Sequence, residues 1–112
     1  MALRSKLFKG DPIYEACLVK DAAHITPGAS GAHIAKIHYV LMVLDRYYPA
    51  KAEIDNLLYG PSTAEGVLAY KRKRDIINYS YQTRADNIVG KMTIAAMDAE
   101  MFQLEHRAPG AA

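Results

Sequence analysis

Tyr59-Gly60-Pro61-Ser62-Thr63 and Val89-Gly90-Lys91-Met92-Thr93 share one pattern: a large apolar residue, glycine, two free positions, threonine, and an apolar residue four places further on. If each phrase opens a helix, its free N–H groups and the positive end of the helix dipole could cradle an anion. Neither phrase has the glycine and lysine spacing of a phosphate loop. The expectation is therefore structural, with glycine allowing a tight helix start and threonine capping or packing in the first turn.

Other residues with chemical potential fall into no constellation. His24, His33, His38 and Cys17 could ligate zinc, but His33 and His38 are five apart, about 140° around a helix, and no pair has metal-site spacing. No metal or cofactor is expected. Glu53, Asp55 and Asp86 could serve a glycosidase, which needs two carboxyl groups flanking a sugar. Nothing pairs any two of them, and Asp86 suits the turn before Val89-Gly90. No serine lies in a Gly-x-Ser-x-Gly elbow, and Cys17 has no identifiable base, so a non-enzymatic role is expected.

Lys71-Arg72-Lys73-Arg74, with tyrosines at 70, 79 and 81, is the best nucleic-acid feature, because cations contact phosphates and aromatics stack on bases. Four charges at one helix end are expected instead to be solvated surface, and no nucleic-acid partner is expected. Asn78-Tyr79-Ser80 matches a glycosylation acceptor, which matters only in a eukaryotic secretory pathway. The chain has eight tyrosines, two phenylalanines and no tryptophan. Tyrosines 47, 48, 59, 70, 79 and 81 fall at helix ends or in loops, where rings either pack the loops down or offer faces to sugar and peptide ligands.

These side chains must be positioned by one domain. A chain of 112 residues supports a single core, and 51% apolar with 23% charged residues argues for a folded protein. Fourteen basic and twelve acidic residues leave +2, too little to argue for nucleic acid or an anionic membrane. The lone Cys17 makes no intramolecular disulfide. The N-terminus lacks the apolar core of a conventional signal peptide, so the expectation is a cytoplasmic protein, or one exported to the cell wall or periplasm by another route. The longest apolar region, Ala32 to Leu44, is broken by His33, Lys36 and His38 and falls short of the ~20 residues of a membrane span, so a soluble protein is expected.

Residues 1–29 hold Gly10, Pro12, Pro27 and Gly28 and no sustained helical period; they read as a wrapping arm with one short strand or helical turn. From Ser30, a plausible N-cap, Ile34, Ile37, Leu41, Leu44 and Tyr48 share a helical face, and Pro49 is expected to stop that helix near Tyr47. The segment 50–60 reads as a loop with one turn. Pro61 suits a first helical position, and Ser62 with Glu65 fits a capping box. That helix should bury Ala64, Val67, Leu68 and Tyr70. A last helix follows Gly90, with Ile94, Met97, Met101 and Leu104 on one face, and the tail RAPGAA is expected to fray.

Three phrases in order, Pro27-Gly28-Ala29-Ser30-Gly31, Tyr59-Gly60-Pro61-Ser62-Thr63 and Asp86-Asn87-Ile88-Val89-Gly90-Lys91-Met92-Thr93, resemble those of the peptidoglycan-binding-like domain family. That family is a three-helix module with a glycine-rich approach to helix 1, a phrase like "FGPxT" before helix 2 and one like "DGIVGPxT" before helix 3. The likeness covers about 25–101. It departs at His38, where glutamine is usual, at Tyr70-Lys71 for Phe-Gln, at Asn87 for glycine and at Lys91 for proline.

The resemblance implies a mainly α fold: a small three-helix bundle with long loops, comprising an arm (1–24), a helical domain (25–104) and a tail (105–112). It also implies a non-catalytic module that binds bacterial peptidoglycan, through its glycan or stem peptide, and localises a partner such as a cell-wall hydrolase. Tyr47, Tyr59, Tyr81, Arg84 and Asn87 are the candidate ligand residues. The alternative is a protein-interaction adaptor of the same fold in a secretion or phage-like assembly.

Overall fold

A computed structural model describes residues 3–20, 23–77 and 86–106. Five helices hold the described chain: α1 (Pro12–Cys17), α2 (Ala32–Asp45), α3 (Lys51–Asp55), α4 (Pro61–Lys73) and α5 (Lys91–Glu105). The three long ones are those the apolar periodicity marks, and α2 packs on both α4 and α5. Ile34, Ile37, Val40 and Leu41 of α2, Ala64, Val67 and Tyr70 of α4, and Ile94, Met97 and Met101 of α5 meet in one core. No helix among the described residues is long and apolar enough to cross a membrane.

Helix boundaries differ from the local reading in two places. Gly31, not Ser30, caps α2, at a φ of 129° that a side chain would resist. The helix ends before Pro49 acts: Arg46 turns left-handed (φ 54°) and Tyr47 N–H reaches back to the Leu41 carbonyl at 3.0 Å. The turn folds Tyr47 against α4, and the stretch read as a loop contains α3.

The arm is part of the same core. Leu3, Phe8, Tyr14 and Cys17 are at most 2% exposed, with Phe8 and Tyr14 in edge-to-face contact at 4.9 Å between ring centres. Asp11 caps α1 by accepting from Ile13 N–H, with Pro12 at the first helical position. Two carboxylates of α5 hold the chain before α1. Asp98 accepts from Arg4 N, Ser5 N and Ser5 Oγ at 2.7–3.1 Å, and Glu105 accepts from Lys6 N and Leu7 N at 2.8 and 3.2 Å. Seven residues are two helical turns, so both acids lie along one side of α5. Tyr14 Oη also donates to the His33 carbonyl, and Lys36 pairs with Asp11 at 2.7 Å, joining arm to α2.

Only half of the basic run at the end of α4 is the solvated face expected of it. Lys71 is 6% exposed, with its Nζ 2.6 Å from Asp86 Oδ1 and 2.9 Å from the Ile88 carbonyl. Arg74 lies over the Tyr70 ring and bonds the carboxylates of Asp45 and Glu100. Burial would release the Glu100 proton less readily, but the Arg74 and Tyr70 hydrogen bonds hold its pKa below the usual carboxylate value. Only Arg72 and Lys73 of the four cations are exposed. The other two tie α4 to α2, to α5 and to the segment before α5.

Candidate functional site

The three phrases meet through one short segment. Ile25 exchanges both backbone hydrogen bonds with Val89 (3.0 and 2.8 Å). Three residues on, Gly28 N–H donates to the Tyr59 carbonyl and Tyr59 N–H to the Ala29 carbonyl, both at 2.8 Å, and Gly31 N–H reaches the Leu57 carbonyl at 3.0 Å. Segment 25–31 therefore pairs with the residue before Gly60 and with the residue before Gly90. Tyr59 closes the arrangement from below, because its hydroxyl donates to the Asn87 carbonyl.

The anion cradle at the start of α4 is filled from within. Glu53 of α3 accepts from Gly60 N (3.1 Å), Ser62 N (2.9 Å), Thr63 N (2.8 Å) and Thr63 Oγ1 (2.7 Å). Burial of this carboxylate, 8% exposed, would raise its pKa, yet hydrogen bonds from Thr63 and Ser62 outweigh that and hold it at about 2. Gly60 has an ordinary φ of −97°; what requires glycine is space, since a Cβ there would stand 2.6 Å from the Glu53 carboxyl carbon. The capping box read from Ser62 and Glu65 does not form: Glu65 is exposed and Ser62 Oγ instead accepts from Ala50 N–H at 2.7 Å. At α5 no side chain among the described residues caps the helix, and a Cβ on Gly90 would meet the His24 ring at 3.0 Å. Both threonines, Thr63 and Thr93, are buried, as their first-turn positions suggest.

Glu53, Thr63 and His38 are the residue types of a nucleophilic triad but not in its order: Thr63 Oγ1 lies in the middle, 2.7 Å from the carboxylate and 2.9 Å from His38 Nε2, whereas a triad places the imidazole between hydroxyl and carboxylate. The hydroxyl proton, however, is directed at Glu53, and Thr63 has no exposed surface. The group works as a brace between α2, α3 and α4. Asp86 acts as the turn residue its position suggests, accepting from Ile88 N–H at 3.1 Å while also binding Lys71.

The candidate ligand residues are not alike. Asn87 is half-buried at the meeting point of the three phrases. Tyr59 is fully buried, so its ring supports that surface from inside and presents no stacking face. Tyr47 is half-buried; its hydroxyl donates to the Ser62 carbonyl at 2.7 Å. Tyr81 and Arg84 lie outside the described residues, as do Tyr79 and the Asn78 sequon. In the sequence Glu53 stands out only as a possible hydrolytic carboxylate. No local pattern marks its capping role, because it precedes Thr63 by ten residues across an irregular turn.

Tyr47 provides a direct test of the packing. A Cβ at Gly66 would fall 2.5 Å from the Tyr47 ring and 3.0 Å from Leu41. Gly66→Ala should therefore displace the ring and cost about 1–3 kcal/mol despite alanine's better helix propensity. Urea unfolding measures the loss, and an unchanged midpoint would show that the ring yields freely.

No family model matches the chain, and no curated protein or solved structure does either.

Proposed function

We propose that this domain is a non-catalytic binding module for bacterial cell-wall peptidoglycan, recognising its glycan or stem peptide and so placing a partner at the wall. The observation that supports this reading is the pairing of segment 25–31 with both Tyr59 and Val89. It gathers the three phrases that carry the family resemblance, with the half-buried Asn87 beside them. In this reading Asn87, Arg84 and Tyr81 contact ligand, Tyr59 holds the Asn87 loop, and Tyr47 braces the start of α4. Retention of the purified chain on insoluble peptidoglycan is the test. Arg84→Ala should weaken retention about tenfold, the worth of one charge-assisted hydrogen bond. No retention of the folded chain would reject the proposal.

A second reading, a protein-interaction adaptor in a secretion or phage-like assembly, draws on large apolar side chains away from the helix starts. Val19 is 77% exposed, Tyr39 48% and Val43 37%, the last two one turn apart on α2. A stoichiometric protein partner that is lost on Tyr39→Ala, with peptidoglycan retention absent, would favour it.

A further inference from the structure

His38 lies on α2 and is 2% exposed. Its Nε2 faces two oxygens, the Leu58 carbonyl at 3.1 Å and Thr63 Oγ1 at 2.9 Å. Since the Thr63 hydroxyl gives its proton to Glu53, both oxygens act as acceptors toward the ring, and Nε2 carries the hydrogen. The other nitrogen, Nδ1, is buried without a hydrogen-bond partner among the described residues. A neutral imidazole fits this site. An imidazolium does not, because its second proton would stand on Nδ1 facing no acceptor among the described residues.

We propose that His38 is an acid-sensitive latch: proton uptake at Nδ1 opens the contact between α2 and the Leu58–Thr63 segment and so loosens the start of α4 and the loop that Tyr59 ties to Asn87. Three segments carry the groups that bond to or act on the ring. The turn after α3 supplies the Leu58 carbonyl, α4 supplies the uncharged Thr63, and α3 supplies the charged group that acts on the ring, Glu53. Burial lowers the affinity of His38 for a proton, and the Leu58 hydrogen bond and Glu53 charge offset this only in part, leaving its pKa below the ordinary 6.5. The Glu53 oxygens are occupied by Gly60, Ser62 and Thr63. That carboxylate titrates near 2, so it remains charged throughout the range in which His38 responds.

The sign follows from linkage. A histidine whose folded pKa is depressed stabilises the fold fully above its unfolded value; the contribution is lost as pH falls from about 6.5 toward the folded value. Within that window each pH unit raises the open population by up to about tenfold.

The test uses the full chain, following histidine ring resonances by NMR and amide protection factors between pH 7.5 and 5. Protection factors remove the intrinsic pH dependence of exchange. One ring, absent from His38→Gln, should titrate below 6.5, and protection of residues 57–63 should fall on acidification. In His38→Gln the fall should vanish, because the amide can donate to Leu58 but does not titrate. A His38 ring titrating at or above 6.5 overturns the proposal, as does protection that is unchanged at pH 5, or an acid-dependent loss that persists in the glutamine variant. The ring titration and wild-type protection are read on the unmodified chain, so they decide the matter even if the variant does not fold.

Discussion

Deleting residues 1–20 is expected to leave a chain that does not fold. Leu3, Phe8 and Tyr14 are wholly or almost wholly buried, and each side chain of this size contributes roughly 1.5–3 kcal/mol by leaving water. A whole domain is stable by only about 5–15 kcal/mol. The deletion also strips Asp98 of its three donor groups and exposes the α5 surface that the arm covers. Far-UV circular dichroism and urea titration of the truncated chain should show reduced helicity and no cooperative transition; a cooperative transition with a native midpoint would refute this. The same point governs the search for partners: loss of a partner on removing the arm would report unfolding, so point variants at exposed positions such as Val19 are the informative ones.

Glu53→Ala is expected to be the most damaging single substitution at the helix starts. It leaves three backbone N–H groups and the Thr63 hydroxyl without their acceptor, two of those amides belonging to the buried residues Gly60 and Thr63. Each unsatisfied buried donor costs about 1–3 kcal/mol, and relaxation lets water reach some of them, so a total of about 3–5 kcal/mol, at the lower end of the sum, is expected. At roughly 4 °C per kcal/mol for a domain of this size, the melting temperature should fall by about 12–20 °C. Acid gives an independent check. The Glu53 carboxyl titrates at about 2 in the fold against an ordinary 4.5, so its stabilisation is complete above pH 4.5 and is lost as pH falls from 4.5 to about 2. The difference corresponds to on the order of 3 kcal/mol. Wild type should lose stability over that window more steeply than Glu53→Gln; parallel pH profiles would show that the carboxylate is not the stabilising group.

The contrast between these two features and the long helices shows what a local reading can reach. Ile34, Ile37 and Leu41, or Ile94, Met97 and Met101, advertise their helices because each neighbour on the face is three or four residues away. Glycine before α4 and before α5 likewise marks where those helices begin. The contacts that position the candidate surface have no such signature. Asp98 and Ser5 are 93 residues apart, Lys71 and Asp86 fifteen, and Tyr59 and Asn87 twenty-eight. Lys71 and Arg74 look like solvent-facing cations in sequence because nothing nearby declares the carboxylates that neutralise them.

By itself, then, the sequence determined a mainly helical fold, its three long helices, the glycine–threonine phrases that begin two of them, and Asp86 as a turn residue. Only the tertiary structure decided that the arm belongs to the core, that Glu53 fills the start of α4, that Tyr59 works from inside, and that one nitrogen of His38 has no partner among the described residues. The reason is the range of the forces involved. Helical periodicity is written between residues one turn apart, whereas a buried carboxylate or imidazole takes its role from donors and acceptors that the chain brings together only when it is folded.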